Sequence, residues 1–170
     1  MDGEPVDPKE ASTAELFNHL FHKTIFVGDD FACSPKQQPH LRSNLQCDLV
    51  IKYLTSEYAW QTLCFATAKR DDNTNRPERL VDALEAQAQD YCHEFLQARA
   101  GIDMIFACTM MGASIRCWMF QREAGNLIGF WAGEQRGESR HYLDIGVDQN
   151  IDTLNHAFSH MKRESPSPVT

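Results

Sequence analysis

Residues 46–51, QCDLVI, and residues 63–70, LCFATAKR, decide the fold. The first opens a run, Cys47 to Leu54, in which Leu49, Ile51 and Tyr53 recur at every second position. That period predicts a strand with one buried face. The second closes a run, Trp60 to Lys69, made mostly of small and apolar residues. Such a run predicts a central strand buried on both faces. Thr55 to Tyr58 makes the turn between them. Because side chains alternate along a strand, Phe65, Thr67 and Lys69 share one face.

Working outward, residues 70–76 (RDDNTNR) form a polar loop, and Pro77 suits the first turn of a helix. Leu80, Leu84, Ala88, Tyr91 and Phe95 then recur at four- and three-residue steps, so a long helix runs to about Ala98 and ends at Gly101. Asp103 to Met111 predicts a strand, Gly112 a turn, and Ser114 to Gln121 the second arm of a hairpin. Weaker strand signals lie at 126–131 and 142–145. Asp148 is the expected cap of a last helix with Ile151, Leu154, Phe158 and Met161 on one face. Upstream, Ser12 to Glu15 has capping-box spacing, and Leu16, Phe17, Leu20 and Phe21 mark a short helix. Residues 28–44, with Gly28, Pro35 and Pro39, read as a loop. The expected organisation is a disordered leader at 1–11, one domain at 12–164 and a frayed tail at 165–170. Its class is α/β: a central mixed sheet flanked by helices, in which the long helix is the crossover between strand groups.

The chain has 170 residues, 42% of them apolar and 24% charged, which suits a packed core and argues against global disorder. Sixteen basic residues against twenty-four acidic ones leave a net charge of −8. No polybasic run is present, so bulk electrostatics repel nucleic acid and anionic lipid, and binding DNA requires a local patch. No apolar stretch has the length of about 18 residues that a spanning helix needs. The six cysteines form no C-x-x-C pair and sit in apolar runs, as free thiols do. With an N-terminus that lacks an apolar signal core, they predict a reduced, intracellular compartment.

Asp48 and Lys69 fall on neighbouring strands, and an acid at position 67 would complete a divalent-metal site. Two carboxylates hold the ion, the ion lowers the pKa of a bound water, and the lysine stabilises phosphate charge. Position 67 is Thr, a poor ligand for a hard cation. The arrangement resembles the PD-(D/E)XK nuclease superfamily, of the restriction-endonuclease-like fold, and more narrowly its small fungal members. The similarity covers about Gln46 to Glu164 in family order: QCDLVI with the first acid, LCFATAKR in place of acid-x-Lys, ALEAQAQDYCHEFL with Gln87 and Tyr91 in a Q-x-x-x-Y pattern, and ACTMMGASIRCWMF with Gly112, Arg116 and Trp118.

The resemblance implies a restriction-endonuclease-like sandwich and carries family positions over to Asp48, Lys69, Gln87 and Tyr91. Asp48 is the implied metal ligand, and Thr67 and Arg116 are candidate binding residues. No cofactor is implied firmly; Mg²⁺ or Mn²⁺ enters only with nuclease activity.

Some members place the second acid elsewhere, which brings Glu85, Asp82, Gln89, Asp71, Asp72 and Glu15 into consideration. Glu85 lies about 200° around the helix from Gln87 and is expected to face elsewhere. Glu15 has an ordinary reading as a capping residue.

Other features have bland readings as well. His156 and His160 have ligand spacing but no third ligand nearby in sequence. Trp118, Phe120, Phe130 and Trp131 read as core or interface rather than a base-stacking platform.

Three functions follow. The first is a nuclease-fold protein without metal-dependent phosphodiesterase activity, acting as a binding or interaction module. The second is an active Mg²⁺-dependent nuclease with a relocated acid. The third is a pocket for a small molecule near Thr67, Lys69, Gln87 and Tyr91. A protein partner or self-association, including a dimer, is the expected partner class. Nucleic acid through a local patch is the other option, and a membrane is not expected.

Overall fold

The computed structural model describes residues 8–69 and 77–164. Helix α1 (Pro8–Leu20) runs directly into one π-turn (Phe21–Ile25). Seven strands follow, interrupted by one long helix: β1 (Phe31–Gln37), β2 (Cys47–Leu54), β3 (Trp60–Lys69), α2 (Pro77–Gln97), β4 (Met104–Met111), β5 (Ser114–Gln121), β6 (Leu127–Gly129) and β7 (Leu143–Asp144). Helix α3 (Ile151–Arg163) closes the domain. The strands form one sheet in the order β1-β2-β3-β4-β5-β6, with β7 also pairing β5. Only β3 and β4 run parallel, and α2 is the crossover that a parallel pair requires. The expected α/β architecture, a central mixed sheet flanked by helices, is therefore present.

The two faces bury different helices. Leu49, Ile51, Cys64, Ala66, Phe106 and Cys108 pack with Phe17 and Phe21 at the N-terminal helical end and with Leu154, Phe158 and Met161 of α3. The π-turn widens one helical turn, and the amide of Phe26 bonds the carbonyl of Phe21 at 2.7 Å. The Phe21 and Phe26 rings then meet at 5.7 Å between centroids, and each meets Phe158 at 6.0 Å. On the opposite face, Val50, Phe65, Ala107, Trp118 and Phe120 pack against Ala88, Tyr91, Cys92 and Phe95 of α2. All six cysteines are free thiols. No helix among the described residues is long and apolar enough to cross a membrane.

Three local expectations need correction. Residues 31–37 are an edge strand, not loop. Pro35 and the positive φ of Lys36 (43°) disguise it, but an edge strand tolerates both, because among the described residues one side of its backbone pairs with no strand. Helix α1 begins at Pro8, so Ser12 to Glu15 lies inside it rather than at its start; residues 1–7 of the expected leader, like 165–170 of the tail, lie outside the described residues. Asp148 belongs to a short 3-10 turn (Asp148–Asn150), and Asn150, not Asp148, precedes α3. Ile151 is consequently 43% exposed, while Leu154, Ala157, Phe158 and Met161 form the buried stripe.

Candidate functional site

The strand register assembles one polar row on the α2 face. Thr67 of β3 pairs Thr109 of β4, and Thr109 pairs Arg116 of β5. The last rung between β2 and β3 is Leu49↔Ala66, so Asp48 follows it beside Thr67. Asp48, Thr67, Thr109 and Arg116 thus span four adjacent strands.

The carboxylate at the start of the row serves the backbone. Asp48 Oδ2 accepts the Ala68 N–H at 2.7 Å, where the β2–β3 ladder has ended. Thr67 is buried, and its hydroxyl oxygen has no hydrogen-bond partner among the described residues. Lys69 closes β3, half-buried and paired in register with Met111.

Gln87 and Tyr91 lie on one stripe of α2, as four-residue spacing requires. Gln87 Nε2 donates to the Gln46 carbonyl at 3.3 Å, and the Tyr91 hydroxyl donates to the Gln37 carbonyl. These carbonyls flank the connector between β1 and β2. One turn further along, Glu94 accepts a 2.5 Å bond from Ser43 and approaches His40 Nε2 at 3.3 Å. The stripe Gln87, Tyr91, Glu94 therefore fastens the 38–46 connector to the helix. The Tyr91 ring packs on Phe65 at 4.7 Å. Burial, and next the neighbouring Cys47, push the Tyr91 phenol above its usual range. Burial also raises the Cys47 thiol to about 11.

Glu85 does diverge from Gln87, as its helical angle requires, but the divergence turns it inward. It is fully buried. Its Oε2 accepts the Gly137 N–H at 2.8 Å and lies 3.6 Å from Arg136 Nε. Its Oε1 lies 3.5 Å from Arg116 Nη1 and 3.3 Å from the Tyr142 hydroxyl. Arg116 is also fully buried, its guanidinium carbon 3.8 Å from the centroid of the Trp118 ring. Burial lowers the Arg116 pKa, and Glu85 opposes that shift. Thr109 links the network: its hydroxyl oxygen accepts Trp118 Nε1 at 2.9 Å and meets the Tyr142 hydroxyl at 2.7 Å. Burial, and then the Glu85 charge, push the Tyr142 phenol up. Gly129 makes room for the arrangement, since a Cβ there would sit 2.5 Å from the Trp131 carbonyl oxygen and 3.1 Å from Arg116 Nη2.

The structure thus distributes the residues singled out in the sequence. Asp48, Thr67 and Arg116 share a row, Gln87 and Tyr91 hold a connector, and Arg116 is enclosed rather than offered to solvent. Glu15 is exposed on α1, across the sheet from Asp48. Asp82 is exposed and lies against Gly137; Gln89 accepts Arg136 at 2.6 Å; Asp71 and Asp72 lie outside the described residues. His160 packs edge-on against Phe130 at 5.3 Å and His156 is exposed. Trp118 and Phe120 are core, and Trp131 Nε1 donates to the His141 carbonyl at 2.7 Å. Thr109, Arg136 and Tyr142 escaped the sequence reading. The signal for an inward acid was present in Arg116 itself: a guanidinium inside an apolar strand needs a carboxylate brought to it.

A divalent cation implied by the family resemblance does not fit these donors. Asp48 holds a backbone amide, position 67 offers a neutral buried hydroxyl, and Glu85 is enclosed by two guanidiniums, a phenol and an amide. Among the described residues, no three His, Cys, Asp or Glu side chains converge to hold a metal ion. Comparison with family models, with curated proteins and with solved structures finds no match for this chain.

Proposed function

We propose that this chain is a nuclease-like α/β scaffold without metal-dependent phosphodiesterase activity, acting as a binding or interaction module. The observation that carries the reading is the Asp48 carboxylate, bonded to the Ala68 amide beside a buried Thr67. A hydrolytic metal site in this position requires carboxylate oxygens facing a solvent-filled cleft. Here the family positions make internal bonds instead: Gln87 and Tyr91 on the β1–β2 connector, Arg116 on Glu85. A relocated acid draws no support from Glu85, whose charge is already balanced by Arg116 and Arg136. A protein partner or a second copy remains the expected partner class.

The test is incubation of the full chain with single- and double-stranded DNA and RNA in millimolar Mg²⁺ or Mn²⁺. No cleavage is expected, and calorimetry should show no saturable metal binding. Cleavage that vanishes in Asp48→Ala would overturn the reading.

A further inference from the structure

On the same sheet face, one step along β2 and β3 from Asp48 and Thr67, α2 and the 38–46 connector flank a groove of about 540 Å³. That volume falls in the range of about 300–1,000 Å³ common for small-molecule sites. Val50, Phe65 and Phe95 lie at its base, each only 2–3% exposed, with the Arg99 guanidinium carbon 5.8 Å from the centroid of the Phe95 ring. Its rim carries Arg42 from the connector, Lys52 from β2 and Arg99 just past the end of α2. Three elements distant in sequence therefore converge three fixed positive charges on one groove, in a chain whose net charge is −8. Among the described residues, none of the three has a carboxylate partner. Glu94 of α2 is engaged by Ser43 and His40.

A helix C-terminus ordinarily repels anions, because its last carbonyls point outward. Here Arg122 Nη2 covers that end, 2.7, 2.8 and 2.6 Å from the carbonyl oxygens of Leu96, Arg99 and Ile102, among which its two N–H groups are shared. The negative pole is thereby offset at Arg99, which lines the groove. Converging like charges is unfavourable unless an anion joins them, and guanidinium groups match phosphate oxygens in geometry.

We propose that this groove binds a small organic phosphate with a flat, apolar body, of the nucleoside monophosphate class. The phosphate sits among Arg42, Lys52 and Arg99, and the flat body lies along the apolar lining to which Leu41 and Ala98 contribute exposed surface. The lining includes neither Asp48 nor Thr67, and the proposal does not rest on the reading of that end.

The test is titration calorimetry of the full chain with AMP, adenosine, inorganic phosphate and a single-stranded oligonucleotide, each at low and physiological salt. AMP is expected to bind one to one, more tightly than adenosine or phosphate alone. Lys52→Ala and Arg99→Ala should each weaken it by about tenfold or more, as loss of a charge-assisted bond does. Arg42→Ala serves as a third rim variant should either of the others fail to fold by circular dichroism. Glu15→Ala, on the opposite face of the sheet, should leave AMP affinity unchanged. The proposal is overturned by absence of AMP binding, by AMP affinity that is unchanged when Lys52 and Arg99 are both replaced, by phosphate binding as tightly as AMP, or by an oligonucleotide that binds far more tightly than AMP.

Discussion

On one side of the α2 face, Glu85 meets Arg116, Arg136, Tyr142 and the Gly137 amide in the interior. On the other side, Arg42, Lys52 and Arg99 ring an open groove. Both regions gather charge under the same helix, yet the burial differs, and burial decides what the charge must do. An enclosed ion has to be balanced by the protein itself, because desolvation would otherwise cost several kcal/mol. A solvated cation carries no such obligation and is available to an outside anion. The first region is therefore architecture and the second is a surface with unused electrostatic potential.

The contrast is broken most directly at Glu85. Glu85→Ala strands Arg116 without its counter-charge, and chemical denaturation should show a loss of about 3–5 kcal/mol. Replacing Glu85 and Arg116 together by methionine should cost far less, since no fully buried ion is left alone and Arg136 is partly exposed. Equal losses from the single and double variants would show that packing, not charge balance, dominates there.

Alkaline titration comes next in size. Burial raises the Cys47 and Cys33 thiols to about 11 from an ordinary 9.0. A raised acid stabilises the fold below its unfolded value, and that contribution is lost as pH climbs through the folded value. Stability measured in urea should therefore fall between about pH 9 and 11, and Cys47→Ala should make that fall shallower.

Smaller effects sharpen the picture at the connector and the row. Tyr91→Phe removes the bond to the Gln37 carbonyl and should cost about 1 kcal/mol. Amide exchange across residues 38–46 should quicken in the same variant, because the connector loses a fastening. Thr67→Val replaces a partnerless buried hydroxyl by a methyl of similar shape, so the melting temperature should hold or rise by the equivalent of about 1 kcal/mol. A marked drop would reveal a partner for that hydroxyl and weaken the account of the Asp48 end.

The regular parts of the fold were legible because period and composition coincide with burial. Cys47–Leu54, Trp60–Lys69 and Ser114–Gln121 are strands over the spans their patterns predict. Strand β1 was hidden because its signals are those of a loop: a proline, polar residues and a kink at Lys36. The site was harder to read for a different reason. Asp48, Thr67 and Arg116 were conspicuous by residue type, but Thr109 joins them only through sheet register. Glu85 was placed by its angle to Gln87, which tells where it points relative to that residue, not which side the sheet occupies. Arg42, Lys52 and Arg99 form no motif at all; tertiary folding alone brings them together.

The margin of the sheet formed by β1 has a consequence for crowded solutions. Pro35 supplies no amide hydrogen, and Lys36 twists the backbone out of line immediately after it. A foreign strand laid along this margin would find a continuous run of main-chain partners only from Phe31 to Ser34. On this margin the sheet thus carries a built-in break against strand addition, although its central strands are rich in the residues from which fibrils form.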